Sequence, residues 1–164
     1  MSRRVALPLV TSGYLALVAW ITLGSVSGHA LGDEASYGVL TPSIWFERTT
    51  WTTGSIFEFG ANVAMFVPVG VLFAMIAGPR RWFGALLAAV AVTVAIELAQ
   101  IPLADRISDP RDLLANSGGA LIGIVLAGIG WLMLAAWRAA TVAPVRELEQ
   151  IPSPAGRRRA GAAA

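Results

Sequence analysis

Residues 89–101, with the sequence AVAVTVAIELAQI, decide the fold of this chain, because no soluble helix needs so many apolar neighbours around one acidic residue, Glu97. A charged side chain costs roughly 3 kcal/mol or more at the centre of a bilayer unless it faces a partner or the bundle interior. Composition agrees, since 56% of the residues are hydrophobic and 13% are charged. A soluble domain carries about 25% charged residues. The sequence therefore predicts an all-α membrane protein.

Four stretches approach or exceed the roughly 20 apolar residues that a helix needs to cross a hydrocarbon core about 30 Å thick. They are Val5–Ser27, Ser55–Ala77, Trp82–Ile101 and Asp112–Trp137. We therefore predict a polytopic membrane domain of four transmembrane helices, covering residues 1–137. The remaining residues, 138–164, are polar and contain prolines, so we expect a disordered cytoplasmic tail.

A polar loop, 28–54, separates the first two spans and is rich in Gly, Ser and Thr. Its aromatic residues, Trp45, Phe46 and Trp51, are typical of an aromatic belt at the membrane interface. A re-entrant segment or a segment lying on the membrane surface fits the same pattern, and the sequence leaves these alternatives open.

The distribution of arginine predicts the orientation of the helices, since cytoplasmic loops carry an excess of basic residues. All twelve basic residues are Arg. With both termini in the cytoplasm, nine arginines lie inside, and only Arg48, Arg106 and Arg111 lie outside. We therefore expect a multi-pass protein whose N-terminus and C-terminus are both cytoplasmic.

The first span has a second interpretation as a secretory signal, because Arg3 and Arg4 precede an apolar run and Ser27–Ala30 is loosely similar to a cleavage site. The apolar run is long for a signal peptide, and the segments after it are themselves membranous. We therefore expect an uncleaved first helix.

Capping patterns predict where the spans begin and end. Ser55 and Glu58 form a capping box, so the second helix should begin at Ser55. Pro102 should end the third helix. Asp109 has the position of an N-cap, with Pro110 as the first helical residue, so the fourth helix should begin there.

Three polar residues from three helices should lie at a similar depth below these ends. At about 1.5 Å per residue, Asn62 and Asn116 lie ~10 Å inside their helices, and Glu97 lies ~7.5 Å before the end of its helix. The neighbouring polar residues extend this set into a cluster on the outer side. The candidate binding residues are Asn62, Glu97, Gln100, Arg106, Arg111, Asp112 and Asn116.

Each candidate also has a structural interpretation. Asp109 and Asp112 match helix caps, and the two asparagines fit interhelical hydrogen bonds. Glu97 fits a structural ion pair with Arg106, although an ionisable residue within a span is a functional candidate by default.

The second and fourth spans carry packing patterns of their own. Pro68 and Gly70 should kink the second helix, which membrane helices tolerate when neighbours satisfy the freed carbonyl. Gly119 and Gly123 form a small-xxx-small pattern that lets another helix backbone approach closely.

The ordered combination of these residues resembles the VanZ-like family of small bacterial membrane proteins. The matching residues are Asn62, Phe66, Pro68, Gly70, Glu97, Gln100, Arg106, Asp109, Asp112, Asn116, Gly118 and Gly123. They lie within residues 55–126, the last three spans. The founding member of this family is associated with resistance to the glycopeptide antibiotic teicoplanin. The resemblance therefore implies a cell-envelope protein of the bacterial plasma membrane and raises glycopeptide resistance as an expectation.

We expect the cluster to form an outward-facing polar pocket that binds an anionic lipid or a lipid-linked envelope precursor. Arg106 and Arg111 would contact its phosphate or carboxylate, as guanidinium groups do. Glu97 and the neighbouring carboxamides would orient the head group just below the membrane interface.

Two other function classes fit the same residues. A membrane-embedded enzyme would use Glu97 as a general base, but the cluster contains no dedicated nucleophile and no His. A non-catalytic structural or assembly protein would use the polar residues to fix helix register. The chain has no cysteine and a net charge of only +2. These features exclude a thiolate metal site and do not indicate a nucleic-acid partner. We expect no metal and no cofactor, although under the enzymatic alternative the oxygen-rich cluster could hold a divalent cation. An oligomer is compatible with the sequence.

Overall fold

A computed structural model describes residues 3–24, 38–52, 54–103 and 108–149. The α-helices along these residues are α1 (Arg3–Leu23), α2 (Arg48–Thr52), α3 (Ile56–Ala77), α4 (Trp82–Gln100) and α5 (Pro110–Glu149). Short 3₁₀ turns at Pro42–Trp45 and Pro79–Arg81 precede α2 and α4. These described residues form no β-strand, so the predicted all-α fold is confirmed.

Four helices, α1, α3, α4 and α5, are long and apolar enough to cross a membrane, as predicted. Their apolar stretches in the described part of the chain are Val5–Leu23, Ile56–Ala77, Pro79–Gln100 and Pro110–Thr141. Only 17% to 28% of the residues in each stretch are buried inside the protein. The remaining apolar surface needs a non-aqueous environment, which a bilayer provides.

The last helix extends further than the sequence predicted. We expected the final span to end at Trp137, whereas α5 continues to Glu149. The added residues include Ala, Arg and Glu, which are strong helix formers, so the helix continues into the segment for which we expected disorder. The rest of that segment lies outside the described residues. By compactness the chain divides into two units, Met1–Gly128 and Ile129–Ala164, and the first contains every candidate site residue.

Both predicted helix starts are confirmed by their capping hydrogen bonds. The Ser55 hydroxyl accepts the backbone N–H groups of Phe57 at 3.1 Å and Glu58 at 3.4 Å. The Asp109 carboxylate accepts the backbone N–H of Arg111 at 2.8 Å. These bonds satisfy donors that the first turn of a helix otherwise leaves without partners.

Apolar side chains from α1, α3, α4 and α5 form the core of the first unit. They are Val18, Phe66, Val69, Ala89, Ile96 and Ala120. A polar contact reinforces the packing of α1 on α3, since the Tyr14 hydroxyl donates a hydrogen bond to the Met65 carbonyl at 2.9 Å. The core therefore holds the four spanning helices in a defined arrangement around the candidate site.

The backbones of α3 and α5 approach closely, as the small-residue pattern predicted. A methyl group added at Gly119 would overlap the carbonyl oxygen of Val63, and one added at Gly123 would overlap that of Val67. The reciprocal glycine on α3, Gly70, faces the α5 backbone in the same way. Gly119 and Gly123 thus pack against α3 of the same chain, and this contact positions the polar end of α5 against α3.

Candidate functional site

The buried Glu97 connects the end of α4 to the start of α5. Its side chain is 1% exposed, and its Oε2 accepts the backbone N–H of Asp109 at 3.0 Å. The Ser108 hydroxyl is a second hydrogen-bonding partner of the same carboxylate. Both contacts involve the residues immediately before α5, where backbone N–H groups and the helix dipole favour a negative charge. Glu97 therefore fixes the position of the α5 N-terminus.

The ion pair between Glu97 and Arg106, which is the structural alternative for Glu97, falls on a residue outside the described part of the chain, since residues 104–107 are not described. The described hydrogen-bonding partners of Glu97 are instead the Asp109 backbone and the Ser108 side chain. Sequence reasoning missed Ser108, although a hydroxyl directly before an N-cap residue is well placed to contact an acid at the preceding helix end.

Asn62, Arg111 and Asp112 form the more accessible part of the site. The Asn62 side chain is a hydrogen-bonding neighbour of the Asp112 carboxylate, which connects α3 to the first turn of α5. The Arg111 guanidinium packs against Gly54, where a methyl group would overlap its Nη1. Gly54 also has a φ of +94°, which favours glycine, so this contact fits both the backbone and the available space. All three candidate side chains are half-buried.

Asn116 lies deeper and contacts α4 about one turn before Glu97. Its Nδ2 donates a hydrogen bond to Thr93 Oγ1 at 2.8 Å, and both side chains are buried. Thr93 and Glu97 are four residues apart and therefore share one face of α4. Sequence reasoning missed Thr93, although its position one turn from Glu97 in an otherwise apolar stretch is a usable signal.

Gln100 turns away from α5 and contacts α1 instead. Its Nε2 donates a hydrogen bond to the Thr22 carbonyl at 3.0 Å. The structure therefore brings Asn62, Glu97, Arg111, Asp112 and Asn116 around the α5 N-terminus but places Gln100 at a different helix contact. We define the α4–α5 cluster as Asn62, Glu97, Ser108, Asp109, Arg111, Asp112 and Asn116.

Two buried side-chain oxygen atoms, one where α5 contacts α4 and one where α4 contacts α1, have no hydrogen-bond donor in the described part of the chain. They are Asn116 Oδ1 and Gln100 Oε1, and their residues are only 2% and 6% exposed. A buried polar atom without a partner costs about 1–3 kcal/mol, so such atoms require a reason. Both atoms are acceptors, so a molecule that satisfies either of them must supply a hydrogen-bond donor or a positive charge.

The charges of the described cluster residues are unequal. Asp109 and Asp112 disfavour a negative charge on Glu97. Asp109 likewise disfavours the negative charge of Asp112, while Arg111 favours it. Among the described residues, no three His, Asp or Glu side chains form a group that could hold a metal ion. The described cluster residues offer hydrogen-bonding side chains and one guanidinium group, that of Arg111, for the recognition of a charged ligand.

Comparison with known families agrees with this arrangement. The sequence model of the VanZ/LLP1 family matches residues 11–134, from α1 into the second half of α5. Comparisons with curated proteins and with solved structures found no match. The match includes all the candidate site residues and extends beyond the last three spans that the resemblance covered. The chain therefore belongs to the VanZ/LLP1 family and is a VanZ-like protein with four helices suited to spanning a membrane.

Proposed function

We propose that this protein binds the polar head group of a lipid or of a lipid-linked envelope precursor at the α4–α5 cluster. The head group carries phosphate or carboxylate together with hydroxyl, amide or ammonium groups. It is held at the membrane interface, and the binding requires no catalytic step.

The observation that carries this proposal is the Asn116 carboxamide. Its Nδ2 is paired with Thr93, but its Oδ1 has no donor in the described part of the chain. Asn116 is four residues after the half-buried Asp112 on the same face of α5, so its carboxamide lies about 6 Å below the more accessible part of the site. A hydroxyl, amide or ammonium group supplies the missing hydrogen bond, whereas a bare phosphate dianion does not.

Charge selects the rest of the ligand. The acidic residues Asp109 and Asp112 disfavour a purely anionic ligand, while the Arg111 guanidinium attracts phosphate or carboxylate. We include Arg106 as a second guanidinium group that would attract the anion. This inclusion rests only on its position in the sequence, between α4 and α5. A head group that combines an anion with hydrogen-bond donors matches both kinds of residue.

The experiment compares three lipids added to delipidated protein. Phosphatidylethanolamine offers an ammonium group and phosphatidylglycerol offers hydroxyl groups, whereas phosphatidic acid, at a pH above its second pKa, offers only acceptor oxygens. A ligand at 100 times its Kd stabilises a protein by about 2.7 kcal/mol, so binding raises the thermal midpoint measurably. We expect the first two lipids to raise the midpoint more than phosphatidic acid does.

An Asn116→Leu variant and a Gly118→Ala variant complete this experiment. The first removes the unpartnered acceptor, and the second changes a residue with open space around it. The preference for donor-bearing lipids should disappear in Asn116→Leu and persist in Gly118→Ala. Equal preferences in the wild type and in Asn116→Leu would reject the proposed site.

A role in resistance to glycopeptides such as teicoplanin is an extension of this proposal. A protein that retains a lipid-linked precursor changes how much of that precursor is accessible to the antibiotic. Expression in a susceptible bacterium should then raise the inhibitory concentration of teicoplanin, and Asn116→Leu should remove that increase. An unchanged inhibitory concentration would reject the role in resistance. Lipid binding would still be decided by the experiment with the three lipids.

The second candidate function is that of a non-catalytic assembly protein. The bond between Glu97 and the Asp109 backbone favours it, because the most buried acid of the cluster holds two helices together. If the protein acts in assembly, a variant in which Asn62, Arg111 and Asp112 are all replaced would keep the wild-type cellular phenotype, for example the inhibitory concentration of teicoplanin. A Gly119→Leu variant, which disrupts the contact between α3 and α5, would lose that phenotype.

A further inference from the structure

Residues 38–52 form a strap whose polar groups are largely satisfied within itself. The Trp45 indole N–H donates to the Val39 carbonyl at 2.9 Å, and the Trp51 indole N–H donates to the Trp45 carbonyl at 3.1 Å. The two indole rings are 6.4 Å apart and tilted by 56°. Because both indole donors are paired, the rings are suited to a region where water is scarce.

The strap is fastened to the polar end of the spanning helices. The Val39 backbone N–H donates to Ser108 Oγ at 3.3 Å, and Ser108 also contacts Glu97. Gly38 packs against the end of α4, where an added methyl group would lie 3.1 Å from Ile101 Cγ1. These contacts place the strap beside the α4–α5 cluster, at the end where α4 stops and α5 begins.

Large apolar side chains project outward from the strap. Leu40 is 69% exposed and Phe46 is 89% exposed. The first turn of α3 also exposes a large apolar side chain, since Ile56 is 88% exposed. Ile56 is also the first residue of an apolar stretch long enough to cross a membrane. The strap therefore lies a few residues before a helix that is suited to entering lipid.

We infer that the strap is a lipid-binding surface that lies in the membrane interface, with Leu40 and Phe46 inserted at the boundary between head groups and acyl chains. Interfacial segments of this kind bury their apolar side chains about 5–10 Å into that boundary and keep charged residues toward water. Glu47 and Arg48, directly after Phe46, are exposed and suit the aqueous side. This inference goes beyond the proposed function, because it requires no bound head group in the α4–α5 cluster.

Spin-label depth measurements test the inference in the full chain, which has no cysteine of its own. Single Phe46→Cys and Leu40→Cys variants are labelled with a nitroxide and placed in vesicles of phosphatidylcholine and phosphatidylglycerol. Glu47→Cys provides the aqueous reference. Leu121→Cys provides the deep reference, because it is exposed on α5 about 16 Å past Pro110.

The expected result is an intermediate depth for both strap positions. Labels at positions 40 and 46 should collide with oxygen more than the label at 47 does, and less than the label at 121 does. Collision with a water-soluble nickel chelate should follow the reverse order. Labels as deep as position 121 would indicate a re-entrant segment, and labels as aqueous as position 47 would indicate a surface for a soluble partner. Either outcome would overturn the inference. If one of the two strap variants does not fold, the depth of the label at the other strap position decides the test.

Discussion

Glu97 and Asp109 are connected by a 3.0 Å hydrogen bond from the Asp109 backbone N–H to Glu97 Oε2. The bond joins the last turn of α4 to the residue that caps α5. The Glu97 carboxyl oxygen accepts one of the N–H groups that the start of a helix otherwise leaves without a partner. A substitution of Glu97 therefore affects the stability of the fold as well as any ligand, and the two effects must be separated.

Glu97→Ala should destabilise the protein more than Glu97→Gln does. Alanine leaves the Asp109 N–H buried without an acceptor, at a cost of about 1–3 kcal/mol, whereas glutamine retains a carbonyl oxygen in the same place. Unfolding by SDS in mixed micelles measures both free energies. Equal losses in the two variants would show that this hydrogen bond does not stabilise the fold.

Thr93 and Asn116 should be energetically coupled. Interhelical hydrogen bonds in membrane proteins contribute about 0.6 kcal/mol on average and up to about 1.7 kcal/mol. A double-mutant cycle of Thr93→Val and Asn116→Leu should give a coupling energy in this range, because the two side chains are 2.8 Å apart. Additive effects of the two substitutions would contradict the contact.

Gly119→Ala should destabilise the protein, because the added methyl group overlaps the Val63 carbonyl oxygen on α3. Overpacking of this kind costs about 1–3 kcal/mol. Gly118→Ala is the matched control, since nothing lies within 4 Å of its added methyl group. The control should be neutral or more stable by up to about 1 kcal/mol, owing to helix propensity. Equal behaviour of the two variants would contradict the close approach of α3 and α5.

The orientation of the helices remains a prediction of the arginine distribution, with both termini in the cytoplasm. A fluorescent protein fused to the C-terminus should fluoresce, whereas alkaline phosphatase fused there should be inactive. Alkaline phosphatase inserted within the 28–54 loop should be active. The reverse pattern would place the α4–α5 cluster on the cytoplasmic side and exclude an outer-leaflet ligand.

The four spans and the helix caps could be predicted because their signals are local. The length of each apolar stretch predicted the spans. The residues around Ser55 and Asp109 predicted where two helices begin, and capping hydrogen bonds confirm both starts. The burial of Glu97 followed from its apolar neighbours in the same way. The further extension of α5 was missed because the segment's prolines and polarity outweighed its helix-forming residues in the sequence reading.

The pairing of polar side chains could not be predicted, because it depends on how each helix is rotated about its axis. Spans that are apolar on every side carry no amphipathic pattern that identifies the inward face. The sequence therefore grouped Gln100 with Glu97, whereas the structure turns Gln100 toward Thr22 on α1. It also could not reveal that Asn116 contacts Thr93, since that contact joins residues on two helices.

Native mass spectrometry of the purified protein tests the central claim most directly, because it detects whether the α4–α5 cluster retains a molecule. Wild-type protein, Asn116→Leu and Gly118→Ala are released from the same detergent, and the mass of any retained species is compared. We predict that wild type and Gly118→Ala retain a species whose head group contains hydrogen-bond donors, and that Asn116→Leu loses most of it while remaining folded. Equal retention by all three proteins, or retention by none, would contradict the proposed binding function.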